Sequence, residues 1–473
     1  MNNYSNKSSS PATPAAKLPV WWLVLGLAVI EIPLLLLFVN QPGWRIIIQI
    51  ALMLLMIPFF LVEHRYGFAA LLILRPAMDI FSNDELARVG PFSLNLSSVI
   101  GLLAIVWILT YIIGRQIAIW RIRLFWPFAI LVGLSIVSLT YTLDIGASLR
   151  EVVRIASIFF IYLLAAALFE RAGNRALIIK ALLASLVIPA VVGLIQFVTG
   201  TGTSFGGVNN RIYGTFGHPN ALAYYLVLML GIIIVLTQTA SNRFRRNWYL
   251  AGIGLLALLL LLTGSRGAWL GAAIVAIGLL WSARKNLILG LAGTTVLLIL
   301  LFPYINNFTF NQFNVNMNRW PLIQRLTDSN VEESSLTWRM SMWSEMRRHI
   351  SDRPLTGYGL GTFPIIREQY VKNFFESTEA HNDYLRLTIE LGWTGVILYV
   401  VLLVILLIRL AQYIRLKTGG LRRWYVAGFA LAVAFAVMSF FDNLLQGTAV
   451  QWAFWTVMAG LLSQSLVADR QRK

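Results

Sequence analysis

The chain has 473 residues, of which 58% are hydrophobic and only 12% charged, and its mean hydropathy is +0.72. Soluble domains carry about 25% charged residues, so this composition excludes an ordinary soluble globular protein. Many apolar runs reach the ~17 residues that a helix needs to cross a bilayer. Because lipid offers no partner to unpaired backbone groups, spans must be helices or a closed barrel. The short alternating pattern of a barrel is not visible, so the sequence predicts an all-α polytopic membrane protein.

The net charge of +18 arises from Lys and Arg in short clusters between the apolar runs. That arrangement is typical of membrane topology and does not indicate a nucleic-acid partner. Cysteine is absent, which excludes disulfides, a thiol nucleophile and cysteine metal ligands. The chain has only four histidines. We therefore expect no metal site and no cofactor.

The apolar runs divide the chain into segments. Residues 1–18 are rich in Ser, Pro and Ala and are expected to form a disordered tail. Spans are predicted at 19–39, 45–61, 66–80, 95–113, 124–142, 152–169, 177–199, 218–240, 248–264, 267–282, 286–304, 384–410, 424–441 and 448–467. The runs at 66–80 and 152–169 contain Arg75 and Arg154, so the number of spans is twelve to fourteen. Transmembrane helices thus occupy 19–304 and 383–467, on either side of a large loop at 305–382, and 468–473 forms a second tail.

The distribution of basic residues predicts the orientation. With the N-terminus in the cytoplasm, the inner connections and tails carry 22 Lys and Arg, against seven in the short outer loops. Long loops are exempt from this bias. Both termini are therefore predicted to be cytoplasmic and the large loop extracytoplasmic, as in a bacterial inner-membrane protein.

The large loop is predicted to contain short helices. Ser334 and Ser335 offer an N-cap for a helix at 336–351, with an apolar stripe formed by Leu336, Met340, Trp343, Met346 and Ile350. A Gly-rich turn follows, and a second helix is predicted at 364–375. Extracytoplasmic loops of this length are more often functional than not.

Several arginines are predicted to lie on the outer side next to apolar spans. Guanidinium groups gathered on one face can chelate a phosphate or diphosphate bidentately. An isolated arginine near a membrane surface also commonly extends to the lipid headgroups, and the sequence leaves both interpretations open. The candidates are Arg75, Arg150, Arg154, Arg211, Arg266 and Arg339.

His381 is the most specific single candidate, because it lies where the large loop returns to the membrane. A histidine can exchange a proton near neutral pH. The His-Asn-Asp sequence that begins with His381 is also a suitable cap for the following helix. His218 precedes Pro219 at the start of another span and is a weaker candidate.

Four motifs resemble O-antigen ligases and related polymerases. The segments 211–225 (RIYGTFGHPNALAYY) and 262–269 (LTGSRGAW) are similar to two signatures of that superfamily. The dipeptide Trp338-Arg339 and the segment 354–363 (PLTGYGLGTF) resemble its large periplasmic loop. His381-Asn382, nine residues, Gly392, two residues and Gly395 match its His-Asn pattern. The clear resemblance covers about residues 205–400.

This resemblance implies a membrane glycosyltransferase of the GT-C class. Its donor would be a glycan on a polyprenyl diphosphate, typically undecaprenyl diphosphate, and the reaction would be inverting and metal-independent. The essential arginines of the superfamily correspond to Arg211 and, less closely, Arg339, and its histidine corresponds to His381. Substrate contacts are then expected from Arg266, Arg154, Arg150, His218, Asn382 and Tyr213.

The acceptor is left open by the sequence. A core oligosaccharide, a second lipid-linked repeat unit, as in a polymerase, and a protein hydroxyl are all compatible with the motifs. A flippase or transporter of lipid-linked oligosaccharides is the alternative of another class. Transporters tend to show symmetric halves with ionisable residues near the midplane, whereas this chain is asymmetric about one loop, which favours the enzyme.

Overall fold

The computed structural model describes residues 63–283, 339–370 and 379–470 except 83, 91 and 206–207, together with 47–51 and 54. The predicted spans at 19–39 and 286–304 lie outside the described residues, as do most of 45–61 and the loop before residue 339. The total of twelve to fourteen spans and the domain boundaries therefore stay predictions.

The described chain is almost entirely helical. Its helices are α1 (His64–Ala77), α2 (Leu96–Gly114), α3 (Phe125–Val137), α4 (Ile145–Phe169), α5 (Ala172–Ala184), α6 (Val187–Thr199), α7 (Pro219–Thr239), α8 (Arg243–Leu262), α9 (Arg266–Ala283), α10 (339–346), α11 (Phe363–Tyr370), α12 (Asp383–Leu416), α13 (Gly419–Phe441) and α14 (Thr448–Arg470). Short 3₁₀ turns extend several of these helices, as at Asp79–Phe81 and Ser138–Thr140.

Seven helical segments of the described chain are long and apolar enough to cross a membrane. They are Leu96–Gly114, Ile145–Phe169, Gly173–Thr199, Pro219–Thr239, Arg243–Leu262, Asp383–Leu416 and Gly419–Phe441. The predicted fold class, an all-α polytopic membrane protein, is thereby confirmed.

The predicted span at 177–199 contains a break that the sequence analysis did not place. Helix α5 ends at Ala184 and α6 begins at Val187. Pro189 lies in the first turn of α6, where its missing N–H leaves the carbonyl one turn earlier without a helical donor. The Ser185 hydroxyl donates to the Leu182 carbonyl at 2.6 Å across this break.

Two short antiparallel hairpins interrupt the helices, and neither was predicted. Strand β1 (Glu85–Val89) pairs with β2 (Phe92–Asn95), and β3 (Thr203–Phe205) pairs with β4 (Val208–Arg211). Each hairpin ends next to a long helix. Asn95 caps α2 by accepting a hydrogen bond from the Ser98 N–H at 2.9 Å.

Contacts between distant segments gather the hairpins, the loop helices and several helix ends on one side, which we call the loop face. Tyr141 donates to the Thr356 carbonyl at 2.9 Å, and Trp343 donates to the Ala380 carbonyl at 2.7 Å. At the other helix ends, the Arg123 guanidinium lies over the Tyr413 ring, and Arg423 donates to the Gln238 carbonyl. These two arginines thus lie at helix ends opposite the loop face.

The apolar stripe predicted for the loop helix was partly wrong. Met346 is fully buried as expected, but Met340 is 58% exposed and Met342 takes the buried position instead. Met342 lies four residues before Met346 and so shares its face of the α-helix, whereas Met340 lies six residues before it and faces away.

A Gly-rich segment of the loop, residues 354–363, inserts into a break in α12, and we call it the strap. At Gly392 the backbone of α12 leaves the helical conformation, with φ +67°. The strap supplies the missing partners: the Tyr358 and Gly359 N–H groups donate to the Ile389 and Glu390 carbonyls at 3.0 and 2.8 Å. The Trp393 N–H donates to the Pro354 carbonyl at 2.7 Å. Irregular backbone within a membrane protein is stable where protein groups satisfy it in this way.

Gly392→Ala should destabilise the protein by several kcal/mol. The added Cβ would overlap the Leu355 carbonyl, and the positive φ is itself unfavourable for alanine. Gly254→Ala in α8 is the matched control, because a Cβ there meets no atom within 4 Å. A thermal unfolding curve in detergent should show a large loss for the first variant and little change for the second. Equal melting temperatures would show that the strap does not depend on this break.

Candidate functional site

The Asp442 carboxylate lies at the centre of a cluster of polar side chains on the loop face. It follows α13 directly and is 8% exposed. Its Oδ1 lies 2.9 Å from His381 Nδ1 and accepts from the Asn443 N–H at 2.9 Å. Its Oδ2 accepts from Asn220 Nδ2 at 2.6 Å and from the Tyr224 hydroxyl at 3.1 Å. Four donors from three parts of the chain therefore converge on one buried carboxylate.

His381 is held in an unusual backbone conformation at the start of α12. Its φ is +47°, a region that non-glycine residues rarely adopt. The next residue, Asn382, caps α12 by accepting from the Leu385 N–H at 3.1 Å, and its own N–H donates to Asn443 Oδ1 at 3.3 Å. The capping and catalytic interpretations of this segment are therefore compatible, because the cap belongs to Asn382 and the imidazole is turned to Asp442.

Arg211 reaches the same cluster from the end of strand β4. It is 3% exposed, and its guanidinium donates through Nε to the Thr263 carbonyl at 2.7 Å. A second nitrogen donates to Asn220 Oδ1 at 2.8 Å. Asn220 thus bridges Arg211 and Asp442, which connects two residues 231 positions apart in the chain.

Arg339 lies at the start of the described part of α10. One guanidinium nitrogen donates to the Phe441 carbonyl at 3.1 Å, next to Asp442 in the chain. Trp343, one turn later, is anchored to the Ala380 carbonyl beside His381. The loop helix is therefore fastened on both sides of the His381–Asp442 pair.

The ionisation of Asp442 follows from these neighbours. Burial by itself raises the pKa of its carboxyl group. The hydrogen bond with His381 is the largest opposing effect, and together with nearby positive charge such as that of Arg339 it outweighs burial and holds that pKa well below its usual range. Asp442 is therefore ionised at neutral pH. Burial lowers the pKa of His218 to about 4, so this second histidine is uncharged at neutral pH.

A cavity of about 670 Å³ opens beside the cluster. Its lining includes His381, His218, Asp442, Glu379 and Asn443. It also includes residues of the first turns of α4, of the β1–β2 hairpin and of the strap, and we call this part of the lining the α4 lobe. The volume lies within the ~300–1,000 Å³ range of small-molecule sites.

The α4 lobe contains two of the predicted arginines. Arg150 and Arg154 both line it. Arg154 pairs with Glu151, and Glu151 also pairs with Arg386 of α12 at 2.7 Å. Arg386 pairs in turn with Glu390 at 3.2 Å. These four charges form a continuous buried network between α4 and α12.

The other predicted substrate-binding residues lie at different distances from the cavity. His218 lines it and caps α7, accepting from the Asn220 N–H at 3.1 Å. Arg266 begins α9 after a three-residue turn rather than lying in the predicted connection at 265–266, and a Cβ at Gly267 would contact Phe441 and Tyr224. The Tyr213 N–H donates to Gln196 at 3.0 Å, and Tyr213 lies outside the described lining. The substrate roles of these residues stay predictions.

The sequence analysis missed Asp442, Asn220 and Asn443. A signal for Asp442 was present, because it is an acidic residue that ends the apolar run 424–441 on the same predicted side as His381. An ionisable residue at such a place is a functional candidate by default. Asp383, which follows Asn382, is turned away from His381 and accepts from the Leu445 N–H at 3.2 Å.

Among the residues that the structure describes, no group of three or more His, Asp or Glu side chains lies close enough together to hold a metal ion.

Comparison with known families identifies residues 251–400 with the model of the O-antigen ligase family. The resemblance seen in the sequence motifs is confirmed for this region, and it supports a membrane glycan-transferring enzyme of the ligase or polymerase kind. The match includes Arg266, Arg339 and His381, whereas Arg211 and Asp442 lie outside it. No curated protein matches the chain.

Proposed function

We propose that this O-antigen ligase-like protein transfers a glycan from a polyprenyl diphosphate, typically undecaprenyl diphosphate, to an acceptor hydroxyl at the outer surface of a bacterial cytoplasmic membrane. The observation that carries the proposal is the buried pair of His381 and Asp442, with Nδ1 and Oδ1 2.9 Å apart, in the lining of a cavity on the loop face. The family match supports the class of reaction. The His381–Asp442 pair would supply the general base that this reaction needs.

The pair meets the first demand of glycosyl transfer, which is removal of the acceptor's proton. An ionised Asp442 favours the tautomer of His381 in which Nδ1 carries the proton and donates to the carboxylate. The other ring nitrogen, Nε2, is then unprotonated and acts as the general base. The same carboxylate stabilises the imidazolium that forms. General base catalysis of this kind is typically worth about 10²–10⁴-fold in rate.

The second demand is stabilisation of the leaving diphosphate. Arg211 and Arg339 both donate to neutral oxygens near the pair, the former to Thr263 and Asn220 and the latter to Phe441. Their positive charges therefore lie beside the base. Preorganised guanidinium groups stabilise charge that develops on phosphate oxygens without further reorganisation. Attack opposite the diphosphate would invert the anomeric centre.

The distribution of charge supports the orientation. Arg123, Arg422 and Arg423 cluster with carbonyl and aromatic partners at the ends opposite the loop face. Basic residues are enriched on the cytoplasmic side of membrane proteins. We therefore place the loop face outside and both termini in the cytoplasm, with membrane lipids and lipid-linked glycans as partners. A polymerase that joins lipid-linked repeat units uses the same chemistry, with a different acceptor.

His381→Ala should reduce glycan transfer by at least about 100-fold, because the variant has no group to accept the acceptor's proton. The matched control is His349→Ala, since His349 lies on the same loop and pairs with Asp352 rather than with the cluster. Purified proteins in lipid nanodiscs would be given a polyprenyl-diphosphate glycan and an acceptor, and the product would be measured by mass spectrometry. Full activity of the His381 variant, with the control also active, would refute the role of the pair.

Arg211→Lys should lower transfer by more than about tenfold even though it keeps the charge. Lysine cannot reproduce the two directed contacts to Thr263 and Asn220 or a bidentate grip on phosphate. Arg348→Lys is the control, because Arg348 is exposed on the same face. The melting temperature should be measured beside the rate for each protein. A folded Arg211→Lys protein with wild-type kcat and KM for the donor would exclude Arg211 from diphosphate binding.

A further inference from the structure

Asn443 makes hydrogen bonds through its backbone N–H and through both ends of its side-chain amide. The N–H donates to Asp442 Oδ1 at 2.9 Å. The side-chain oxygen accepts from the Asn382 N–H at 3.3 Å, and the side-chain nitrogen donates to Glu379 Oε2 at 3.2 Å. One residue is therefore bonded to the carboxylate of the proposed base pair and to the chain on both sides of His381.

The turn that follows α13 brings a second amide to Glu379. Residues Leu444–Gln446 form a 3₁₀ turn, in which side chains three positions apart lie on the same side. Asn443 and Gln446 have this spacing, and the Gln446 side chain donates to Glu379 Oε2 at 3.1 Å. Two amides of one turn thus hold one carboxylate oxygen. These three side chains are partly buried and line the cavity.

The backbone conformation of His381 requires support of this kind. Its φ of +47° is rarely adopted by residues other than glycine, and such a conformation persists only when surrounding contacts hold it. Glu379 lies two residues before His381, and Asn382 is the residue after it. Because both are bonded to Asn443, the chain between them has little freedom to rotate away from Asp442.

We propose that Asn443 and Glu379 are positioning residues that hold the His381 ring against Asp442, and we call these two side chains the clamp. The imidazole acts as a base while Nδ1 faces the carboxylate, because this contact fixes the tautomer that leaves Nε2 unprotonated. The clamp itself takes no part in the proton transfer. This inference rests on the proposed transferase function and identifies what keeps its base in place.

The hydrogen-bond donor and acceptor of the clamp can be exchanged, which gives a specific test. Asn443→Asp replaces the side-chain nitrogen with an oxygen, so its contact with the Glu379 carboxylate becomes repulsive. Adding Glu379→Gln restores the contact, because the new amide nitrogen donates to the new carboxylate and the amide oxygen still accepts from Gln446. Glu379→Gln alone should be tolerated, since its amide oxygen can accept from both Asn443 and Gln446.

Transfer from a polyprenyl-diphosphate glycan would be measured with the full chain in lipid nanodiscs. Asn443→Asp should lower kcat at least about tenfold, because a small displacement of a catalytic group costs that much or more. The KM for the donor and the melting temperature should change little. Glu379→Gln and the double variant should both keep a kcat close to wild type. Asn209→Asp is the matched control, since Asn209 is exposed in the β3–β4 hairpin and lies outside the cavity lining.

The position of the His381 ring can also be observed without turnover. Nitrogen-15 NMR of histidine-labelled protein distinguishes protonated from unprotonated ring nitrogens, and the chain has only four histidines. Comparison with the His381→Ala spectrum assigns the two signals. At alkaline pH, Nδ1 of His381 should carry the proton in the wild-type protein and in the double variant. Asn443→Asp should show a mixture of the two tautomers.

The outcomes separate the clamp from the transferase function. If the wild-type protein transfers no glycan but the tautomer changes as expected, the proposed function is wrong and the clamp is supported. If transfer proceeds but Asn443→Asp keeps the wild-type kcat and tautomer, the clamp is wrong and the function is supported. A loss of kcat that Glu379→Gln does not reverse, with a lower melting temperature, would show that Asn443 only supports the fold and would also overturn the proposal.

Glu379→Ala decides the question if Asn443→Asp does not fold. It removes the acceptor of both amides, whereas Glu379→Gln keeps one. The alanine variant should therefore lose kcat at least about tenfold and show mixed tautomers of His381, and the glutamine variant should not. Equal kcat values and equal tautomers in these two variants would overturn the proposal.

Discussion

The hydrogen bonds to Asp442 hold together the ends of three segments that are distant in the chain. A buried carboxylate is unfavourable unless donors surround it, and here His381, Asn220, Tyr224 and the Asn443 N–H provide them. The start of α7, the end of α13 and the end of the large loop are each fixed by this requirement. The same interactions fix two arginines: Arg211 donates to Asn220, and Arg339 donates to the Phe441 carbonyl.

The strap imposes a second constraint on the same region. Its insertion at Gly392 fixes the first part of α12, which begins with the cap beside His381. The strap also forms one wall of the α4 lobe through Gly361 and contacts Glu390 through the Phe363 N–H. One loop segment therefore supports both the first part of α12 and one wall of the cavity. Helix α12 can leave the helical conformation at Gly392 only because the strap provides hydrogen-bond partners for its backbone groups.

Much of this fold was predictable from composition. The apolar runs predicted the bounds of α7, α9 and α13 to within a few residues, because hydropathy reports directly on burial in lipid. The break before Val187, the two hairpins and the buried Met342 were not predicted. The break and the hairpins depend on local backbone partners, which hydrophobic periodicity does not record. Met342 was overlooked although it lies one helical turn before the buried Met346.

The candidate site was predicted in part. His381, Arg211 and Arg339 were found through motifs, and the structure brings them to one cluster. Asp442 was missed because nothing in the local sequence connects it to His381, 61 residues earlier; only the fold makes them partners. The arginines were expected to act as one group. Arg150 and Arg154 instead line the lobe with carboxylate neighbours, whereas Arg211 and Arg339 lie beside the base.

A double-mutant cycle of His381 and Asp442 tests the central claim that these two residues act as one base. The transfer rate would be measured for His381→Ala, Asp442→Asn and the double variant in the same nanodisc assay. Residues that act as a unit are strongly non-additive. The double variant should therefore be about as active as His381→Ala alone. Losses that add on a logarithmic scale would show that Asp442 supports the fold or another step, and would contradict this account.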